Sequence, residues 1–244
     1  MSNSYFQFKQ FRIEQDRCAM KVGTDGVLLG AWTDVRQSKS ILDIGTGTGL
    51  IALMLAQRSS AEITAIEIDE AATTQASDNF AGSPWASRIT GIHTSLQDFR
   101  KGHNSLFDLI VSNPPYFNNS QKNPDSQKCL ARHTDSLNYT ELLSASTLLN
   151  EDGHFCVILP HSEGEKFSDI AKDYGLHPIR QTNIVPRIEA QPKRILLDLS
   201  KQVDSICNVN ELLIEKGRHI YSPEFNEMTK DFYLDKTTQT NGHE

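Results

Sequence analysis

The sequence predicts one α/β domain with a mostly parallel, twisted sheet and helices on both faces. Short apolar runs that suit strands alternate with stretches that suit helices from residue 40 onward. A glycine-rich turn joins the first of these runs to the first of these helices. The chain has 244 residues, 38% of them hydrophobic, which is enough to bury one sizeable core. Its charged fraction of 23% and its aliphatic blocks suit a globular chain rather than a disordered one.

Taken in order, residues 40–44 (SILDI) form an apolar run that stops at glycines, and residues 48–58 show helical spacing. Residues 62–68 alternate as a strand does. Residues 70–81 read as a helix stopped by Gly82. Residues 88–94 and 107–112 (FDLIVS) suit strands, 139–149 a helix, 154–159 a buried strand and 162–174 a helix. Segments 178–187 and 194–200 look extended. Ser222-Pro223-Glu224 places an N-cap, a proline at N1 and an early acid before a last helix running to about Leu234. The expected division is a cofactor-covering segment over 1–39, a core over 40–200, a strand and helix over 201–234, and a polar, frayed tail over 235–244.

The net charge of −7 argues against a protein that coats nucleic acid non-specifically, but not against an enzyme with a local basic patch. Cys18, Cys129, Cys156 and Cys207 form no CxxC pair and have no accompanying histidine cluster, so neither a metal site nor a disulfide framework is expected. The N-terminus lacks a signal-peptide pattern, and no apolar run reaches the roughly 18 residues that span a bilayer. The expectation is a cytoplasmic protein without a membrane partner, and nothing in the sequence requires a protein partner.

The run Asp43-Ile44-Gly45-Thr46-Gly47-Thr48-Gly49 carries the first chemical signal. Glycines there let the backbone turn sharply and approach a ligand, and the helix N-terminus behind them offers free N–H groups. Glu67, ending the next strand, has the position from which a carboxylate accepts both hydroxyls of a ribose. Together these indicate a nucleoside-containing cofactor. A dinucleotide fits part of the pattern, since Gly47 to Ala52 satisfies G-x-G-x-x-A. Asp43 before the turn and the strict alternation of Gly45, Gly47 and Gly49 favour S-adenosylmethionine. Thr46 belongs to the same turn. Asp98, after the third strand, is placed to accept the cofactor's adenine amino group or to be a solvated surface acid.

Asn113-Pro114-Pro115-Tyr116 follows the strongest strand and therefore sits at the same sheet edge as the glycine turn. The prolines stiffen the segment and remove backbone donors, so the Asn113 side-chain oxygen and the Pro114 carbonyl converge as acceptors. Two acceptors hold the hydrogens of an amine and align its lone pair with the bond being broken. Tyr116 can stack on a flat substrate, an effect of about 1–3 kcal/mol per base. Upstream, Lys21-Val22-Gly23-Thr24-Asp25-Gly26 is either a simple turn or a loop closing on the methionine part of the cofactor. In the second case Lys21 meets its carboxylate and Thr24 or Asp25 its amine. Asp25 is also a possible N-cap for the helix that follows.

The glycine turn followed by NPPY resembles the class I amino-methyltransferases. The N-terminal segment, Ala131–Thr134 (ARHT) and the ending YSPEFNEMTKDFYL resemble more closely the bacterial family that N6-methylates adenine 37 of a valine tRNA, over roughly residues 6–234. That resemblance implies a Rossmann-like fold, S-adenosylmethionine as methyl donor and an anticodon-loop adenine as acceptor. By motif, Gly45, Gly47 and Gly49 would contact the cofactor and Glu67 its ribose, while Asn113, Pro114 and Tyr116 would hold the target. Lys122, Lys128 and Arg132 around the polar loop after NPPY, and Arg187 and Arg194 in a later basic stretch with Arg180 and Lys193, are the expected tRNA contacts. A protein glutamine-N5 methyltransferase shares NPPY but carries a longer N-terminal domain than residues 1–39. A DNA adenine methyltransferase usually needs an added recognition domain. A non-catalytic cofactor-binding regulator is the remaining alternative.

Overall fold

The computed structural model describes residues 3–18, 21–115, 138–203 and 206–235, so Tyr116, Lys122, Lys128 and Arg132 lie outside the described residues. The chain opens on a hairpin that sequence patterning does not reveal, β1 (Tyr5–Gln7) against β2 (Arg12–Glu14). Three-residue strands are too short to display an alternation. Helix α1 (Thr24–Trp32) follows. Its N-cap is Gly23, and Asp25, expected as the cap, lies inside the first turn instead.

Strands and helices then alternate: β3 (Ser40–Ile44), α2 (Leu50–Arg58), β4 (Glu62–Glu67), α3 (Glu70–Ala81), β5 (Ile89–His93), α4 (Leu96–Gly102) and β6 (Phe107–Ser112). Asp69 caps α3 by accepting the Ala72 N–H at 2.8 Å, and Gly82 ends it as expected. Past the NPPY region come α5 (Tyr139–Leu143), β7 (Leu149–Pro160), α6 (His161–Lys172), β8 (His177–Arg187), β9 (Arg194–Ser200), β10 (Asn208–Gly217), β11 (Ile220–Tyr221) and α7 (Pro223–Thr229). The long strands form a nine-stranded sheet in the order β11-β10-β8-β9-β7-β6-β3-β4-β5. Strands β7, β6, β3, β4 and β5 are mutually parallel, and β9 is inserted antiparallel between β7 and β8. No helix among the described residues is long and apolar enough to cross a membrane.

Alternation along β3 supplies both faces: Ile41 joins the core beneath α1, α2 and α3, while Leu42 and Ile44 join the core beneath α4, α5 and α6. A fully buried aliphatic or phenyl side chain of this kind contributes about 1.5–3 kcal/mol. Helices α1 and α2 approach closely because Gly30 faces Met54, where a Cβ would lie 2.7 Å from the Met54 sulfur. The two ends of the described chain meet in an aromatic cluster. Phe8 stacks near Phe11 and Tyr233, Phe225 and Phe232 are buried, and the Lys9 N–H donates to the Phe232 carbonyl at 2.8 Å.

Three boundaries differ from the sequence reading by several residues. The helix expected over 139–149 stops at Leu143 and gives way to a 3-10 turn over Ser144–Leu148, because the Ser144 hydroxyl takes the Glu141 carbonyl and Leu149 is drawn into the sheet opposite Phe107. Strand β7 therefore begins five residues before the apolar run 154–159. The last helix ends at Thr229 rather than near Leu234, since the chain turns to bury Phe232 against the N-terminal hairpin.

Candidate functional site

The carboxyl ends of β3 and β6 meet where the Ser112 hydroxyl donates to the Ile44 carbonyl at 2.8 Å. This bond ties the start of the Asn-Pro-Pro segment to the start of the glycine turn. Around it lies a cavity of about 510 Å3 lined by Lys21, Gly23 to Gly26, Gly45 to Thr48, Leu50, Ile51 and Asn113 to Pro115. The fold thus brings together three sequence motifs that are far apart along the chain. Asn113 is half-buried, Pro114 buried and Pro115 exposed.

The turn is built from left-handed residues: Gly45, Gly47 and Gly49 have φ of 73°, 56° and 83°. Gly49 is doubly constrained, because a Cβ there would lie 2.4 Å from Phe80 Cε1. The Gly45 and Thr46 N–H groups both donate to the Ile66 carbonyl, at 2.9 and 3.1 Å, which fastens the turn to β4. Gly49 caps α2 without a side-chain bond and Gly23 does the same for α1. Leu50, at the start of α2, and Gly23 and Thr24, at the start of α1, line the cavity. Helix N-termini without a side-chain acceptor attract negative or polar ligand groups.

Two carboxylates brace this turn. Asp43 is fully buried, and its Oδ2 accepts the Thr46 hydroxyl at 2.6 Å while its Oδ1 has no hydrogen-bond partner. Burial pushes its carboxyl up to about 7, against the Thr46 hydrogen bond, with the nearby Glu67 charge adding to the rise. Glu67 is half-buried behind the turn. Its Oε2 accepts the Gly47 N–H at 3.0 Å, and its Oε1 accepts the Ile68 and Asp69 N–H groups at 2.9 and 3.1 Å. Three of its roughly four acceptor positions are thus filled, and a diol would have to share or displace one of these donors.

The N-terminal segment expected to cover the site is held by side chains that sequence reasoning missed. Buried Asn79 of α3 donates to the carbonyls of Glu14 and Thr48 and accepts the Glu14 N–H, all between 2.8 and 2.9 Å. Buried Gln75, one turn earlier, accepts the Arg17 N–H at 2.7 Å and donates to Asp16 at 3.2 Å. The Gln75 amide bond holds the Asp16 carboxyl below its ordinary value, helped by its own backbone. Two amides in a polar helix look like solvated surface, and only the packing of the N-terminal segment on α3 turns them inward.

Other expected residues fall apart in space. Asp98 lies inside α4 and is exposed. It accepts from Ser95 and Lys101, each at 2.9 Å, with Lys101 first and Ser95 second in drawing its carboxyl down, and it does not line the cavity. Arg194, expected on tRNA, forms a 2.8 Å ion pair with Asp25, expected on the cofactor, so the pair spans from β9 to the cavity wall. Arg180 does not join the basic stretch. It lies over the Trp32 ring, 3.7 Å from its centroid, and reaches Asp198 near the amino ends of the parallel strands. Arg187 remains exposed at the carboxyl end of β8.

The cavity, lined by mixed apolar and polar groups with the N-termini of α1 and α2 at its wall and the Asp43 and Glu67 carboxylates bracing the turn, is of a kind that can take a polar small molecule beside the Asn113-Pro114-Pro115 segment. The family model described as Methyltransferase small domain matches residues 20–164. The chain is 51% identical over 236 residues to the tRNA1(Val) (adenine(37)-N6)-methyltransferase of Bacteroides fragilis, covering 96% of this chain and 99% of that one. It is 49% identical over 232 residues to the protein of that name from Flavobacterium johnsoniae, covering 94% and 99%. Among solved structures, a predicted O-methyltransferase from Agrobacterium tumefaciens matches with a TM-score of 0.63 at 20% identity, over 85% of this chain and 96% of that one. An N2-specific 16S rRNA methyltransferase from T. thermophilus, in complex with AdoMet and guanosine, matches with a TM-score of 0.53 at 20% identity, over 79% and 47%. The structural likenesses establish the methyltransferase fold, and the near-full-length identity establishes the finer grouping: this chain belongs to the methyltransferase small-domain family and, within it, to the tRNA1(Val) (adenine(37)-N6)-methyltransferases.

Proposed function

We propose that the chain transfers a methyl group from S-adenosylmethionine to N6 of adenine 37 in a valine tRNA. The observation that carries this reading is the meeting of the glycine turn and Asn113-Pro114-Pro115 in one cavity, in a chain half identical to enzymes of that name. When bound, S-adenosylmethionine supplies an electrophilic methyl on a sulfonium. Glu67 and the Gly45–Gly49 turn would hold its ribose, with Lys21, Thr24 and Asp25 at its amino-acid end.

Asn113 Oδ1 and the Pro114 carbonyl accept the two N6 hydrogens, which draws the nitrogen lone pair out of conjugation and fixes its direction. Neither group titrates near neutral pH, so catalysis here is positioning and electrostatics rather than general-base chemistry. After the C–S bond breaks and the N–C bond forms, the amine nitrogen carries one proton too many; solvent water takes that proton, while Asn113 Oδ1 or the Pro114 carbonyl keeps the hydrogen bond to the N–H that remains. An anticodon-loop base is not paired in a duplex, so presenting it to the cavity costs less than the few kcal/mol of flipping within a helix.

The test is transfer of labelled methyl from S-adenosylmethionine to unmodified valine tRNA, followed by nucleoside analysis, for the wild type and Asn113→Ala. The expected result is N6-methyladenosine at position 37, reduced on the order of a hundredfold or more in the variant while cofactor affinity changes little. Label in a protein fraction and none in tRNA would replace this reading with glutamine-N5 methylation. Unchanged turnover in the variant would remove Asn113 from the chemistry.

A further inference from the structure

Most of the described lysines and arginines are engaged within the chain. They donate to carboxylates, to backbone carbonyls or to hydroxyls. Among the described residues the exceptions are Lys39, Arg187, Lys193, Lys216 and Arg218. Lys39 stands just before β3, at the amino edge of the sheet. The other four are exposed, and the strand pairing places all of them at the opposite, carboxyl edge, where the cavity opens.

The register makes this placement explicit. Arg194, the first residue of β9, lies opposite Pro160 at the end of β7, with Lys193 immediately before it. Strand β8 passes Arg194 at Ile184 and runs on to Arg187, and β10 runs parallel to it with Glu215 opposite Arg187. Lys216 follows Glu215 at the end of β10, and Arg218 stands in the turn to β11. Two short turns therefore project side by side, each containing a non-glycine residue in the left-handed region, Glu189 at φ 62° and His219 at φ 61°. With strands about 4.8 Å apart, β9 lies two spacings, β8 three and β10 four from β6, so Lys193 stands about 10 Å and Arg187, Lys216 and Arg218 about 14–19 Å from Asn113 across the sheet. Within these two turns the acids are Glu189 and Glu215, and Glu163 at the start of α6 is already paired with Lys166, which leaves a local positive excess on a chain of net charge −7.

Resting on the reading that a tRNA base docks at Asn113, we propose that Arg187, Lys193, Lys216 and Arg218 form a phosphate-binding rail for the tRNA backbone flanking that base. The β10–β11 turn is its outer end. Arg194 is not part of the rail, since Asp25 holds it at the cavity wall. Exposed cations without internal partners hold no ordered carboxylate that a phosphate must displace, and their binding releases counterions from the RNA.

The test is binding of an unmodified valine tRNA transcript by fluorescence anisotropy from 50 to 200 mM salt, using the wild type, Lys216→Gln/Arg218→Gln and Lys39→Gln. Each lost phosphate contact lowers the slope of log affinity against log salt by about 0.7–0.9. The double variant should therefore lose about tenfold less affinity than the wild type across that range, with cofactor binding unchanged, while Lys39→Gln keeps the wild-type slope. A double-variant slope equal to that of the wild type would overturn the rail. Absence of methyl transfer to tRNA by the wild type would overturn the function reading instead. The two failures are separable because the slopes come from binding and not from turnover.

Discussion

Replacing Asp43 with Asn tests the electrostatics beneath the glycine turn. The buried carboxyl stands near 7 in the folded protein, against 3.8 ordinarily. Between about pH 4 and 7 the folded state therefore holds more protons at this group than the unfolded chain does. Stability falls as pH rises through that window, and the cost is complete above it. At about 1.4 kcal/mol per pH unit, the ionised side chain costs roughly 4 kcal/mol above pH 8 but only about 1.5–2 kcal/mol at pH 5. Asparagine has the same shape, keeps an acceptor for the Thr46 hydroxyl and cannot ionise. In urea unfolding without ligand, Asp43→Asn should gain about 2.5 kcal/mol relative to the wild type between pH 5 and 8.5. A wild-type-to-variant difference that stays flat over this range would refute the reasoning, because it would mean that Asp43 ionises as a solvated carboxyl does.

Further outcomes follow from the packing around the site. Gly49→Ala forces a Cβ onto the Phe80 ring at a left-handed φ, and should destabilise by about 2–4 kcal/mol in chemical denaturation. Combination with Phe80→Ala should be less than additive, and full additivity would show that the ring is not the obstacle. Asn79→Ala removes the amide that joins the N-terminal hairpin to the glycine turn. It should cost about 2–4 kcal/mol and raise the KM for S-adenosylmethionine, and a wild-type KM would show that the cover is held by other means. Arg194→Ala removes one partner of Asp25 at the cavity wall. The pair is partly exposed, so a rise of about two- to fivefold in cofactor KM is expected, and an effect on tRNA binding alone would return Arg194 to the RNA surface.

Much of the candidate site's backbone was legible because it is built from unusual residue types. Alternating glycines at 45, 47 and 49 announce left-handed residues, and the consecutive prolines at 114 and 115 announce a rigid carbonyl-rich segment. Strand and helix positions across residues 40–112 follow from local periodicity within a residue or two, except for α4 (Leu96–Gly102), whose two short turns show no apolar period long enough to announce a helix. The pairing of partners was not legible. Nothing in the local sequence distinguishes Arg180 from Arg187, yet one lies over Trp32 and the other is exposed at the rim. The Asp25–Arg194 pair, the inward amides Gln75 and Asn79, and the grouping of Lys216 and Arg218 with Arg187 all join residues distant along the chain.

The sequence by itself determined the fold class, the glycine turn, the stiff Asn113-Pro114-Pro115 segment and the order in which they meet along a mostly parallel sheet, since each follows from backbone preferences and side-chain periodicity within a short window. Tertiary structure alone decided which charges are spent inside the molecule and which face solvent, because ion pairing and burial depend on strand order and register, and neighbours in space are chosen by the whole chain.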